Sequence, residues 1–315
     1  MNLTYLSQLK SLPPPEAVPV VTTPISPSLL PLNPSKSNRQ THVMAILNLT
    51  PDSFSDGGKH SPTDLPGLTA VVRGFISSGA TIIDVGGEST RPNATPVTEE
   101  EELSRVIPAI RHIRASVPEA AKVAISIDTS RARVAAEACA AGADIINDVS
   151  AGMLDPEMLS TMARIGKPVI LMHMRGKPTT MTKLAHYPDG VVPSIASELL
   201  ARVQAAQEAG IRRWRIILDP GIGFAKTQLH DLAVLREMQN LRTNIDGLDN
   251  FPWLVGASRK RFIGRITGVS DASQRVWGTA AVVTASVAAG VDIVRVHNVA
   301  EMCQVTKMAD AIYRV

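Results

Sequence analysis

The sequence is poor in cysteine, aromatic residues and clustered charge, and each shortage removes a class of protein. Two cysteines stand in 315 residues, Cys139 and Cys303. Both lie in helical patterns and their spacing fits no metal motif, so they read as reduced, structural thiols in a reducing compartment rather than a disulfide framework. No stretch reaches the roughly 18 apolar residues that a transmembrane helix needs, which argues against a membrane partner. The net charge is only +3 and no dense Lys/Arg run occurs, so nucleic acid is not an expected partner. Aromatic residues make up 3% of a chain that is 44% hydrophobic, leaving Ala, Val and Ile to carry the core. That composition suits helices packed on a buried parallel sheet.

Acid is nearly missing from the first forty residues, where "SLPPPEAVPVVTTPISPSLLPLNPSKSN" is rich in Pro and Ser. Repeated proline blocks helix and central strand alike, so residues 1–40 read as a disordered or extended linker or tail. Its few basic residues (Lys10, Lys36, Arg39) make a weak transit signal, and the compartment stays open between cytoplasm and mitochondrion. Residues 41–315 read as one domain. Apolar strand candidates occur at 43–47, 81–85, 123–127, 144–147, 168–172, 215–218, 252–256 and 292–296. Helical patterns fall at 64–78, 98–115, 130–141, 156–165, 191–209, 229–240, 272–289 and 299–313. Thr98 and Glu101 form a candidate capping box. Gly79, Gly142, Gly166, Gly210 and Gly290 stop helices before the next strand. Eight β-α units predict an α/β protein of the (β/α)₈ TIM-barrel class. A doubly wound sheet is the alternative, but the Gly-rich phosphate loop expected after its first strand is missing.

Barrel active sites gather where strands end at their C-terminal rim. Here the strands deliver, in order, Asn48, Asp84, Asp128, Asn147-Asp148, His173, Asp219, the "SRK" of 258–260, and Arg295 with His297. Unpaired polar groups are costly to bury, so a purely structural barrel has no reason to place one at nearly every strand end. The rim reads as a small-molecule site. Asp128, Asn147 and Asp219 come from strands 3, 4 and 6. Carboxylates beside an amide suit a nitrogen heterocycle with several N–H donors. Arg295, His297 and Asn48 come from the adjacent strands 8 and 1 and suit an anion, most simply a phosphate with Mg²⁺. Asp84 reads as a support behind the site residues or as structural, because its strand continues into a Gly-Gly turn. Asp148 reads either as a cap or as a site residue, and His173 either as a satisfied core histidine or as a site residue. Met153, Met158, Met162 and Trp277 read as helix packing.

The motifs "ILNLTPDSFSDGG", "DVGGESTRP", "SIDTS", "IINDVS", "LMHMRGKPTTM", "LDPGIGFAKT", "VGASRKRFIG" and "IVRVHNV" follow one another, one per strand, from about residue 42 to the end. Together they closely resemble the dihydropteroate synthase family. The resemblance implies condensation of (7,8-dihydropterin-6-yl)methyl diphosphate with 4-aminobenzoate in folate biosynthesis, with Mg²⁺ as cofactor. It implies that Asp128, Asn147, Met172, Asp219, Gly223, Phe224 and Lys260 hold the pterin. Asn48, as metal ligand, would bind the diphosphate together with Thr90, Arg295 and His297. Phe54, Thr90, Arg91, Pro92 and Ser258 would border the aminobenzoate, and Asp56 would face the metal or a developing cation. The catalytic set so implied is Asp56, Asp128, Lys260, Arg295 and His297. Thr50 to Gly58 would then be a loop that closes over the substrate and excludes water.

Three departures stand out against the family's commonest pattern. Asn93 replaces Gly after Pro92, Asn298 replaces Asp after the last histidine, and Arg261 follows Lys260 where bacterial relatives often carry Ser. The resemblance also implies a homodimer and a native fusion to upstream folate-pathway domains, which would give the Pro/Ser segment something to link. Two rivals compete with the synthase reading. A pterin-binding methyltransferase barrel would have no use for Arg295 and His297 as an anion grip. A catalytically silent scaffold barrel would release no diphosphate.

Overall fold

The computed structural model describes residues 39–50, 65–88, 97–177 and 179–314. Phe54, Asp56, Thr90, Arg91, Pro92 and Asn93 lie outside these residues, as does the Pro/Ser segment up to residue 38. Within them the chain alternates strand and helix. The strands are β1 (His42–Asn48), β2 (Ile82–Gly86), β3 (Ala124–Asp128), β4 (Ile145–Asp148), β5 (Val169–Met172), β6 (Ile216–Asp219), β7 (Leu254–Val255) and β8 (Ile293–Val296). The helices are α1 (Leu65–Ser78), α2 (Glu99–Ser116), α3 (Ala132–Ala141), α4 (Met158–Ile165), α5 (Val191–Glu208), α6 (Gln228–Arg236), α7 (Met238–Thr243), α8 (Arg261–Thr267), α9 (Val276–Ala288) and α10 (Val299–Tyr313).

All strand pairs are parallel, in the order β6-β5-β4-β3-β2-β1-β8-β7. A bridge between Leu218 and Trp253 joins the two ends and nearly closes the (β/α)₈ barrel. Strand β7 is shorter than the apolar run 252–256 suggests because Pro252 has no N–H to donate. Its carbonyl still accepts from the Leu218 amide at 2.9 Å, and the buried Asp292 carboxylate takes the Trp253 amide at the same distance. The Arg39 guanidinium bonds Asp292 at 2.9 Å and the Gly290 carbonyl at 2.6 Å.

The period of two along each strand sorts the barrel wall. Met44, Ile82, Ala124, Ile145, Ile170, Ile217, Leu254 and Ile293, one from each strand, meet in a single apolar layer inside the barrel. The alternate residues point outward to the helices: Ile83, Val85, Ile125 and Ile127 pack with Val106 and Ile110 of α2, while Val43, Ala45, Val294 and Val296 pack with α9 and α10. Both faces are apolar, hence the near-continuous hydrophobic runs in the sequence.

Helix ends follow local chemistry. The Thr98 hydroxyl accepts from the Glu101 amide at 3.1 Å and starts α2. The single pattern at 229–240 is two helices, α6 and α7, parted at Glu237. The run 272–289 begins as a 3₁₀ turn and becomes helical only at Val276. Trp277 does not pack as expected: it is 83% exposed. Helix α9 buries Thr279, Val283, Ser286 and Val287, and a residue two positions before Thr279 falls on the opposite side. Met153 is likewise exposed, whereas Met158 and Met162 are buried.

Candidate active site

Two residues above the apolar layer on several strands, the inward positions turn polar. On β6 Ile217 is followed by Asp219, on β4 Ile145 by Asn147, and on β2 Ile82 by Asp84. The Cα positions of Asn48, Gly86 and Asp128 are paired in register across β1, β2 and β3, and Asp128 pairs on to Asn147 of β4. A Cβ on Gly86 would touch both the Asn48 amide oxygen and the Asp128 side chain, at 3.5 and 3.6 Å, so these two groups flank an open step in the rim.

Asp84, Asp128, Asn147 and Arg295 form one buried network. Arg295 Nε donates to Asp84 Oδ2 at 2.5 Å and its Nη2 to Asp128 Oδ2 at 2.7 Å. Asn147 Nδ2 donates to both Asp84 oxygens at 3.2–3.3 Å. The division drawn from the sequence, with carboxylates on one side and Arg295 on the other, therefore needs correction: the strand-8 guanidinium reaches across to the strand-2 and strand-3 carboxylates. The second Asp128 oxygen, Oδ1, is buried without a hydrogen-bond partner among the described residues. Burial pushes the Asp128 carboxyl up to about 7 although Arg295 opposes the shift, and Asp84 adds to it. Burial disfavours the Arg295 cation too, but Asp84 and Asp128 more than offset this and hold it charged.

The opposite wall comes from β6 and the loop after it. Asp219 is buried, and its Oδ1 accepts the Gly221 amide at 2.7 Å. At Gly221, with φ +67°, a Cβ would lie 2.0 Å from the His173 carbonyl oxygen, so only glycine lets the loop pass. The Gly223 amide is held by Asp231 at 2.6 Å, and Lys260 packs directly over Gly223. Lys260 Nζ bonds the Ile222 carbonyl and stands 4.6 Å from the centre of the Phe224 ring. Burial pulls the Lys260 ammonium down to about 8, against the pull of Asp219 and Asp231. Met172, Val149 and Met174 form an apolar patch against Phe224.

Ser258 and His297 meet at the strand-7/strand-8 side. The His297 amide donates to Ser258 Oγ at 3.2 Å, and its Nδ1 lies 3.1 Å from the same oxygen. Asn298 accepts from Arg259 Nε at 2.9 Å and so ties the two loops together. Lys260 is the residue just ahead of α8, and its side chain makes no hydrogen bond to the first turn of that helix.

Asp148 is a cap: its carboxylate takes the Ser150 and Gly152 amides at 2.7 and 2.6 Å. His173 is satisfied. Its Nε2 bonds Glu198 at 3.0 Å and its Nδ1 lies 2.9 Å from Lys226 Nζ, which also holds the Phe224 carbonyl. Burial pulls Lys226 down to about 7 and His173 to about 4. Sequence reasoning passed over Lys226 and Asp231. The only signal for Lys226 was its place in "GFAK"; Asp231 gave none, being one more acid in a helical stretch.

Residues 44–297 match the family model described as "Pterin binding enzyme". The chain belongs to this family, and within it to the dihydropteroate synthases. It is 46% identical over 276 residues to the dihydropteroate synthase of Synechocystis, covering 88% of this chain and 91% of the relative. The Pneumocystis carinii folic acid synthesis protein fol1 is 47% identical over 274 residues, 87% of this chain but 36% of that protein. The mitochondrial folate synthesis bifunctional protein of Arabidopsis thaliana is 45% identical over 88% of this chain and 50% of its own length. The chain thus spans half or less of these two longer relatives. Among solved structures, the dihydropteroate synthase of Xanthomonas albilineans with 4-aminobenzoic acid aligns with a TM-score of 0.78 at 39% identity, covering 88% of this chain and 94% of that one. The same synthase in complex with 7,8-dihydropteroate aligns at 0.75 and 36% identity.

Proposed function

We propose that this chain joins (7,8-dihydropterin-6-yl)methyl diphosphate to 4-aminobenzoate, releasing diphosphate and forming 7,8-dihydropteroate. The observation that carries this reading is the donor-hungry wall of the mouth. Asp128 Oδ1 is a buried acceptor with no partner among the described residues, and Asp219 and Asn147 are buried at the ends of β6 and β4. A reduced pterin presents a run of N–H donors that such acceptors would take, while Lys260 would donate to its acceptor edge. Met172 and Phe224 would cover the flat faces of the ring.

The reaction asks for a leaving diphosphate, a cation-like methylene and a dry site. Arg295 and His297 would grip the diphosphate, with Asn48 at the neighbouring strand end. As diphosphate leaves, positive charge develops on the pterin methylene, and the electron-rich ring and the nearby carboxylates would stabilise it. The aminobenzoate nitrogen is nucleophilic while neutral, so it needs little help from a general base. Its carboxylate suits the Ser258 to Lys260 turn ahead of α8. Water would capture the cation, and excluding it is the role this reading gives to Phe54, Asp56, Thr90, Arg91 and Pro92, which lie outside the described residues.

Mg²⁺ fits this site as a visitor. Among the described residues no three His, Cys, Asp or Glu side chains converge on a metal position, and Asn48 offers a single amide oxygen. That set suits an ion that keeps its waters and arrives on substrate phosphates, not one held in an all-protein cage. When bound, it would neutralise charge on the diphosphate. A homodimer belongs to the same reading, and sedimentation equilibrium would test it.

Diphosphate release from the purified chain, supplied with the pterin diphosphate, Mg²⁺ and 4-aminobenzoate, tests the proposal. Release that depends on all three supports it. Pterin binding with no release would leave a scaffold barrel instead.

A further inference from the structure

We propose that Asp84 is a positioning residue that sets the hydrogen-bond polarity of the pterin end of the mouth. This rests on the pterin reading above. Asp84 sits one inward step below the rim, its Cα level with Ile46 and Ser126 on the flanking strands, and is 0% exposed. It therefore touches no ligand. Its neighbours one layer down are apolar, and an aliphatic side chain would fill the place without the desolvation that a buried carboxylate costs.

What the carboxylate does is fix two side chains that face the mouth. Paired with the Arg295 guanidinium, it can only accept hydrogen bonds. The Asn147 amide must then turn its NH₂ toward Asp84, at 3.2–3.3 Å, and its oxygen away. Asn147 makes its side-chain hydrogen bonds through that nitrogen alone among the described residues. The same carboxylate holds Arg295 by Nε, which brings Nη2 onto Asp128 Oδ2 and leaves Asp128 Oδ1 without a partner among the described residues. One buried acid thereby presents two acceptors, Asn147 Oδ1 and Asp128 Oδ1, to whatever enters. A ring edge of N–H donors is matched; an edge of bare ring nitrogens is rejected, because each would face an acceptor.

Asp84→Asn is nearly isosteric but lets the facing amides turn either way and loses the ion pair. Wild type, D84N, Asn147→Ala and the double variant are compared by calorimetry with the pterin diphosphate in Mg²⁺ and by steady-state kinetics on both substrates. The expected result is a rise of about tenfold or more in Kd and KM for the pterin diphosphate, with the 4-aminobenzoate KM within about twofold. The double variant should bind no more than about threefold weaker than D84N, since D84N has already released the amide that N147A removes. A pterin KM unchanged in D84N, equal rises in both KM values, or fully additive losses would overturn the proposal. If neither D84N nor the smaller Asp84→Ser folds, N147A decides alone: unchanged pterin affinity removes the acceptor that Asp84 is said to aim. Wild type that binds no pterin defeats the functional reading itself, a separate outcome from wild type that binds it while D84N is unaffected.

Discussion

The lower and upper halves of the barrel interior are built by the same strands and obey different rules. Below, eight aliphatic side chains, one per strand, close the barrel as a dry plug. Above, the inward positions two residues further along include Asp84, Asn147, Asp219 and Arg295, with Asp128 one step higher on β3, all largely buried and mutually bonded or held by loop amides. The lower layer gains free energy from each side chain it buries. The upper layer spends free energy on desolving charge and recovers part of it through ion pairs. Stability is expected to reside in the first and chemistry in the second, although a single step of two residues separates them.

Strand β6 carries both kinds on one face, so two substitutions there test the division. Asp219→Ala removes a charged acceptor of ring donors. Hydrogen bonds to charged groups are worth about 1.5–3 kcal/mol each, and two such bonds predict a fall of about 10²–10⁴ in kcat/KM for the pterin diphosphate. Its effect on unfolding should stay within about 1–2 kcal/mol, because the Gly221 amide it holds is one bond against a buried charge removed. Ile217→Ala should do the reverse: about 2–5 kcal/mol lost in denaturant unfolding, with both KM values nearly unchanged well below the midpoint. A large KM effect from I217A, or a collapse of the fold from D219A, would dissolve the distinction.

The pH dependence sharpens it further, because function and stability should slope in opposite directions over one range. Accepting ring N–H donors requires Asp128 ionised, and donation by Lys260 requires it protonated. With these groups at about 7 and about 8, kcat/KM for the pterin diphosphate should form a narrow bell, falling about tenfold per unit beyond each limb. Stability follows proton uptake. Between the ordinary 3.8 and about 7 the folded state holds the Asp128 proton more tightly than the unfolded state, so this group's contribution declines as pH rises through that window. Lys260 acts the other way: between about 8 and its ordinary 10.5 the unfolded chain binds the extra proton, and stability recovers as pH rises. Rate profiles and urea unfolding across pH 5–10 check both signs.

Much of this arrangement was legible before any coordinates. Strand ends carry the signal because period two and the buried, two-sided sheet force apolar runs that stop where the rim begins, so Asn48, Asp128, Asn147 and Asp219 announce themselves. Which group faces which does not follow from order along the chain. Arg295 sits on β8 beside β1, and only the length of its side chain lets it cross to Asp84 and Asp128. Asp84 reads no further than as a supporting or structural acid for the same reason: nothing local says that the Asn147 amide and the Arg295 guanidinium both bond to it. Lys226 and His173 are 53 residues apart in the chain, and their 2.9 Å contact exists only once β5 and β6 are paired. Helix faces fail differently. A stretch as apolar as 276–288 has no clear polar side to mark the solvent, so the sequence does not show that Trp277 faces outward.

Trp277 gives the smallest expected effect and the cleanest control for both halves. Its neighbour Gly278 is where α9 closes on α8: a Cβ there would lie 2.3 Å from Ile263 Cγ2. The approach that makes Gly278 indispensable turns the indole one position earlier away from the contact, to 83% exposure. Trp277→Ala should therefore leave unfolding free energy within about 0.5 kcal/mol of wild type and neither KM altered. Gly278→Ala, one residue along, should cost several times more by forcing the two helices apart. If the tryptophan change proves the costlier of the two in thermal unfolding of dilute protein, the indole is covered in solution, and the side of the barrel that carries α9 joins a buried surface rather than a solvated one.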